Sequence, residues 1–191
     1  MNVSLEISHL REYPEWVSTV AAWHHREWLR GFREGLRFAP DVERGEDVRE
    51  REHNLRSHFG EAPVPATYIA HIADPEGDAS SPRLPIGSVS LVMYQFTRAR
   101  KPSEWVTNLY VEPPFRNRGV GQQLLAFIEN YALEQGLDCL RLYTRDQGAF
   151  YQKRCWAFKH NGIVQGNAVS IFEKTVGAVV SKDAARPASE A

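Results

Sequence analysis

The stretch VEPPFRNRGVGQQLL, residues 111–125, joins an apolar run to an amphipathic one, and its reading decides the fold. Before it, WVTNLYV (105–111) has the β-branched and aromatic character of a strand. After it, Leu124, Leu125, Ile128, Tyr131 and Ala132 recur on one helical face until Gly136 supplies a stop. Gly119 and Gly121 let the backbone turn tightly, so successive N–H groups face outward at the helix N-terminus, where the macrodipole favours an anion. Arg116 and Arg118 add positive charge beside that nest, which makes the segment a pyrophosphate cradle. It lacks the Lys-Ser/Thr ending of a nucleotide phosphate loop, and GVG lacks the later glycine and acidic partner of a dinucleotide fingerprint. The same residues also read as an arginine-rich turn before a helix that starts with glycine, and context must separate the two.

Upstream, residues 3–9 alternate as a short strand, and Pro14 opens a helix to about Arg30 with Val17, Val20, Ala21, His24 and Trp28 on one face. GFREGLRFAPDVERG (31–45) has no steady period and reads as a loop, followed by a helix over 46–59 with Val48, Leu55 and Phe59 on a common face. TYIAHIA and IGSVSLVMYQF are strands joined by the turn-rich DPEGDASSPRLP, which has no crossover helix, so they pair antiparallel. Downstream come a strand in DCLRLYT, a short helix around AFYQKR and a last strand in AVSIFEKTV. One domain over residues 3–176 is expected, with 177–191 a disordered tail that has little to bury.

Lys and Arg number 23 against 24 Asp and Glu, so no global field points to nucleic acid or a membrane surface. No apolar run approaches the roughly 20 residues of a membrane span, and the N-terminus has no secretory pattern. Cys139 and Cys155 match neither a metal spacing nor a disulfide framework. A cytoplasmic protein without a metal is the expectation.

With both flanks in place, Arg116-x-x-Gly119-x-Gly121 between LYV and QQLLAFIENYALEQG resembles the acetyl-CoA signature of the GNAT superfamily. RLYTRDQGAFYQKRCWAF resembles the second motif of that family, and the likeness spans roughly residues 85–160. The resemblance implies an α/β (α+β) fold: one domain with a mixed, mostly antiparallel sheet, splayed middle strands and helices on both faces. It also implies acetyl-CoA as cosubstrate, with Leu109, Tyr110 and Val111 offering backbone to the pantetheine arm. The pyrophosphate then rests on Arg116, Asn117, Arg118, Gly119, Val120, Gly121 and Gln122, with Thr144 as a further contact. Tyr151 matches the family tyrosine that assists the departing thiolate; as a residue beside Phe150 it also reads as packing.

Three positions depart from the family pattern. Thr144 stands where many members carry asparagine. Cys155 stands where glycine usually precedes the aromatic, at a steric cost if φ is positive there. Trp105 occupies the register at which some members place a glutamate base, and alternation turns the adjacent Glu104 to the opposite face.

The run AWHHREW places His24, His25, Glu27 and Trp28 as candidates for an acceptor pocket, with a histidine able to take a proton near neutral pH. At helical spacing the same residues read as packing and solvent contact. The function expected is transfer of acetyl to a primary amine of a small molecule or of a peptide or protein N-terminus. The alternative is a GNAT-like domain that binds acyl-CoA without turnover. The partners are acetyl-CoA and an amine acceptor, without nucleic acid or membrane, and the protein is a monomer or homodimer.

Overall fold

The computed structural model describes residues 5–30, 41–73, 83–95, 101–164 and 167–177. Seven strands form one sheet: β1 (Glu6–His9), β2 (Ala66–Ala73), β3 (Arg83–Tyr94), β4 (Ser103–Val111), β5 (Cys139–Thr144), β6 (Ala157–Val164) and β7 (Asn167–Thr175). Their order is β1-β2-β3-β4-β5-β7-β6, antiparallel except where β4 meets β5. Those two parallel strands register at one pair, Trp105 with Arg141. From Thr107 and Tyr143 onward their ends are therefore not paired with each other, and each leaves a free backbone edge facing the gap.

Helices α1 (Val17–Arg30) and α2 (Asp41–Ser57) cover one face; α3 (Val120–Glu134) and the short α4 (Gly148–Gln152) cover the other. Alternation sorts the sheet residues between them. Tyr68, Ala70, Ile72, Val89 and Leu91 join Leu124, Leu125, Ile128 and Ala132 of α3 in the larger core. Ile69 joins Val17, Val20, Ala21 and Trp23 of α1 and Leu55 of α2 in the smaller one. Burying such side chains contributes about 1.5–3 kcal/mol each.

β4 breaks the alternation. Ser90 pairs with Thr107 and Ser88 with Tyr110, so two residues of β4, Asn108 and Leu109, oppose Val89 alone. Asn108 sits at φ 54°, and the bulge changes the parity of the strand. Val106 and Leu109, three residues apart, both pack in the larger core, while Tyr110 turns into the smaller one.

The structure corrects several sequence expectations. Helix α2 starts at Asp41, so DVERG is helical; the acidic Asp41 and Glu43 suit a first turn, and the cost of Gly45, about 1 kcal/mol, is tolerated in a 17-residue helix. It ends at Ser57 rather than 59. Pro14 opens a 3-10 turn, Pro14–Trp16, before α1 begins. β6 is a strand that the sequence reading did not contain, lying at the sheet edge with mostly exposed residues. The expected strand start at 3–4, the loop at 31–40, most of the turn at 74–85 and the tail at 178–191 lie outside the described residues.

Two helices end in the same motif. After α3, Gly136 (φ 71°) donates to Leu133 O and Leu137 to Ala132 O; after α4, Cys155 (φ 63°) donates to Gln152 O and Trp156 to Tyr151 O. Cys155 thus has the left-handed conformation in which glycine escapes the steric cost. The motif delivers Trp156 into the core, where its indole N–H donates to Glu129 Oε1 at 2.7 Å.

Candidate active site

Two cavities meet where β4 and β5 part. The first, about 530 Å³, is lined by Leu109, Tyr110 and Val111 from β4, by Phe115, Arg116 and Asn117, and by Gly119, Val120, Gly121 and Gln122. It is closed by Glu27, Gln147, Phe150, Tyr151 and Arg154. Asn117 (φ 60°) and Gly119 (φ 83°) turn the chain into α3, whose N-terminus has no side-chain cap. The first-turn N–H groups therefore keep their donor capacity for an anion. Arg116 lines this cavity, with Nε donating to Val111 O at 2.7 Å and Nη2 to Glu27 Oε1 at 3.3 Å.

Arg118 is not in the lining; its guanidinium lies 5.9 Å from the centre of the Phe115 ring. A cation that the sequence reading missed stands there instead. Arg154 packs 3.8 Å over Phe150 and donates to Gln122 Oε1 at 3.1 Å. Nothing marked it except its place three residues after Tyr151.

The second cavity, about 650 Å³, has walls from α1 (His24, Glu27), α2 (Arg51, Asn54, Leu55), β3 (Val92–Tyr94), β4 (Val106–Tyr110) and Tyr143 of β5. Thr144 belongs to this cavity and not to the first, and its Oγ1 accepts the Gln147 N–H at 3.1 Å. Trp105 is buried beside Tyr143, with ring centres 6.2 Å apart, at the position where the family pattern suggested a glutamate.

His24 lines the second cavity and is 5% exposed. Its Nε2 lies 2.9 Å from Ser88 Oγ, and Ser88 donates to Asn108 O at 3.1 Å. Burial, then the charges of Arg51 and His58, press its pKa down to about 3, so the ring is neutral at physiological pH. His58, at the end of α2, forms a parallel chain: Nδ1 is 2.7 Å from Thr67 Oγ1, which is 2.9 Å from Ser90 Oγ. Burial and then His9 hold it at about 4. His25 is buried outside both cavities, and the Trp28 side chain lies outside the described residues. Among the described residues no group of three or more His, Cys, Asp or Glu is gathered to hold a metal ion, and no helix is long and apolar enough to cross a membrane.

Tyr151 is the residue shared most usefully by the two cavities. It is 9% exposed, and burial, with Asp146 acting in the same sense, pushes its phenol up to about 12. It is a protonated donor at any physiological pH.

The statistical model of the acetyltransferase (GNAT) family matches residues 26–155, which run from α1 to the turn after α4 and include both cavity-forming motifs. The chain belongs to this family. Among similar proteins, the bovine (Bos taurus) thialysine N-epsilon-acetyltransferase is 26% identical over 102 residues, 53% of this chain and 59% of that protein. The match thus spans about three fifths of that relative's length. The solved GNAT structure from Streptococcus pneumoniae is 20% identical, with a TM-score of 0.60 over 91% of this chain and 100% of that one. The yncA protein of Salmonella typhimurium, solved with its cofactor acetyl-CoA, is 12% identical, with a TM-score of 0.64 over 97% of this chain and 100% of that one. The PaiA N-acetyltransferase of Thermoplasma acidophilum, in complex with coenzyme A, is 18% identical, with a TM-score of 0.59 over 90% and 99%. These likenesses establish a GNAT fold for the mixed seven-stranded sheet.

Proposed function

We propose that the chain transfers an acetyl group from acetyl-CoA to a primary amine of a small molecule or of a peptide or protein N-terminus. The observation that carries this reading is the junction at Tyr151 of a cavity walled by backbone donors with one walled by side chains. The first fits the coenzyme: the uncapped α3 N-terminus suits the pyrophosphate, Arg154 and Arg116 supply charge, and Leu109 and Tyr110 offer a strand edge not paired with β5 to the pantetheine arm, Val111 O already accepting from Arg116. The second receives the amine.

When bound, acetyl-CoA supplies an acyl thioester as electrophile. Attack forms the N–C bond and breaks the C–S bond, and the departing sulfur needs a donor. An ordinary thiol titrates near 8.5, so full proton transfer from a phenol at about 12 is uphill by roughly 5 kcal/mol. Tyr151 therefore acts as a hydrogen-bond donor to the developing thiolate rather than as its proton source. With His24 and His58 held neutral by burial, the amine's proton leaves through water or the acceptor arrives as the free base. The buried Trp105 at the glutamate register favours the second reading, an acyl-CoA binder without turnover.

Calorimetry with acetyl-CoA, coenzyme A and ATP, followed by a thiol-release screen of amines, amino acids and short peptides, tests both. Acetyl-CoA binding with thiol release for one acceptor class is the expected result. Binding without release for any acceptor favours the second reading, and ATP binding without coenzyme A binding overturns both.

A further inference from the structure

Tyr151 and Arg154 both line the coenzyme cavity, one within α4 and one in the turn that follows it. Helix α4 is a single turn of five residues, too short to be held by its own hydrogen bonds, so its placement is set from outside. Tyr151 is fixed by burial in the larger core, but Arg154 lies beyond the last helical residue and is only partly buried. The turn that carries it is no firmer by itself, because Cys155 at φ 63° takes a left-handed conformation that is costly for a residue with a Cβ. Nor do the bonds of the Arg154 guanidinium complete its own requirements. Nη1 donates to Phe150 O at 2.8 Å and Nη2 to Gln122 Oε1, while Nε is buried with no hydrogen-bond partner. A buried donor left unpaired is a cost that a side chain at liberty to relax would remove, so its place is imposed by the backbone that carries it.

That backbone is gripped by a pair of side chains from two other elements. Lys174 of β7 donates from Nζ to Arg154 O at 3.0 Å and to Glu129 Oε2 of α3 at 2.6 Å. The other oxygen of Glu129 is the one that accepts the Trp156 indole N–H. One ammonium–carboxylate pair therefore holds the residues on both sides of Cys155, Arg154 by its carbonyl and Trp156 by its ring. The side chains of Lys174 and Glu129 are 22% and 16% exposed, so water competes weakly for either. We propose that Glu129 and Lys174 are positioning residues that set Arg154 beside the first turn of α3, where its guanidinium meets a phosphate of the coenzyme. The inference rests on the acetyl-CoA reading above. Neither residue lines a cavity, and each acts only through the turn that the pair holds. Lys174 pairs with Leu140 in the β5–β7 ladder, so the register of the last strand reaches the coenzyme through this grip.

A double-mutant cycle on the full chain tests it, with coenzyme A measured by calorimetry and phosphate-free pantetheine by NMR titration. Lys174→Met is expected to weaken coenzyme A binding about tenfold, the order of one charge-assisted contact, and to leave pantetheine binding unchanged. In an Arg154→Met background the same substitution should cost nothing further, because the group it positions is gone. Equal losses in both backgrounds, or equal losses for the two probes, mean a general loosening of the cavity and overturn the proposal, as does an unchanged coenzyme A affinity. Should Lys174→Met fail to fold, Glu129→Gln, which keeps an oxygen for the Trp156 indole, runs the same cycle and decides by the same results. A wild type that binds no coenzyme A defeats the functional reading and the proposal with it. A wild type that binds coenzyme A but gives an additive cycle defeats the proposal alone.

Discussion

The two cavities that meet at Tyr151 are built on different plans. The cavity proposed for the coenzyme is mainly one continuous piece of chain, residues 109–122, turned into α3 by two left-handed residues, Asn117 and Gly119. The cavity proposed for the acceptor is assembled from residues on α1, α2, β3, β4, β5, β6 and β7, and two of its polar groups are buried histidines kept neutral. Backbone donors are the same for every sequence, so in the first cavity the turn into α3 constrains chiefly where side chains must be absent, while Arg116, Arg154 and Tyr151 are contributed from around it. The second is free to vary residue by residue. On the proposed reading, such a division would let one cosubstrate site serve many acceptors, with specificity carried by α1, α2 and the middle strands.

Four measurements can break or sharpen this contrast. The largest effect belongs to the group that both sides share: Tyr151→Phe keeps the ring and its packing but is expected to lower turnover about a hundredfold to a thousandfold at unchanged coenzyme A affinity. Steady-state rates under conditions where chemistry limits turnover will show it. Equal rates for the two proteins would return Tyr151 to packing alone.

The next effect tests the acceptor side. His24 and His58 have native pKa values of about 3 and 4, below the unfolded value of 6.5, so they take up protons on unfolding in acid. Their contribution is fully present above pH 6.5 and is lost as the pH falls toward those native values. By pH 5 each histidine removes roughly 2 kcal/mol of stability. Urea titrations at pH 7, 6 and 5 should find this loss, reduced in His58→Gln. A profile that is flat from pH 7 to 5 would contradict the burial of both rings.

The coenzyme side is probed by paired substitutions at Gly121. A Cβ there would lie 3.6 Å from Val111 Cγ2 and 4.0 Å from Phe150 Cζ, ordinary contacts, so Gly121→Ala should bind acetyl-CoA like the wild type. The branched side chain of Gly121→Val fills the cradle and should weaken binding about tenfold, or ~1.4 kcal/mol, without unfolding the domain. Calorimetry showing equal affinities would mean that the phosphates do not approach the α3 amides. The smallest effect is expected at Cys155→Gly, which relieves a positive φ at an exposed position and should raise stability by about 0.5–1 kcal/mol in thermal or urea unfolding. A loss of stability there would mean that the thiol makes a compensating contact.

The same contrast explains what was legible in the sequence. The cradle was readable because its glycines and flanking periods lie within one short segment, and Cys155 stood out because the second motif wants glycine where the helix ends. Arg154 and Arg51 were invisible because an arginine in the turn after α4 or on α2 says nothing by itself about which cavity it faces. β6 was missed because an edge strand carrying Lys159, His160, Asn161 and Gly162 has neither the apolar run nor the alternation of a buried strand, and Phe158 and Ile163 stand exposed on it. The β4 bulge left no sign, since Asn108 takes its left-handed turn without being glycine and strict alternation through 105–111 looks unbroken. Helix α2 was read short because Gly45 looked like loop punctuation.

The bulge has one further consequence, because it is a matter of chain length and not of side-chain identity. Residues before Asn108 and residues after it obey two different phases of the same two-residue rhythm, and the extra residue is the joint between them. Point substitutions in β4 leave that phase difference intact, whatever they do to local packing. Removing one residue between Thr107 and Tyr110 would restore a single phase with Tyr110 still toward α1 and Val111 still toward α3, whereas flattening the bulge at full length would turn Tyr110 toward α3 and Leu109 and Val111 toward α1. The extra residue is thus what lets Asn108 and Leu109 share one place opposite Val89, and counting residues at this point of β4 decides whether a bulge exists at all.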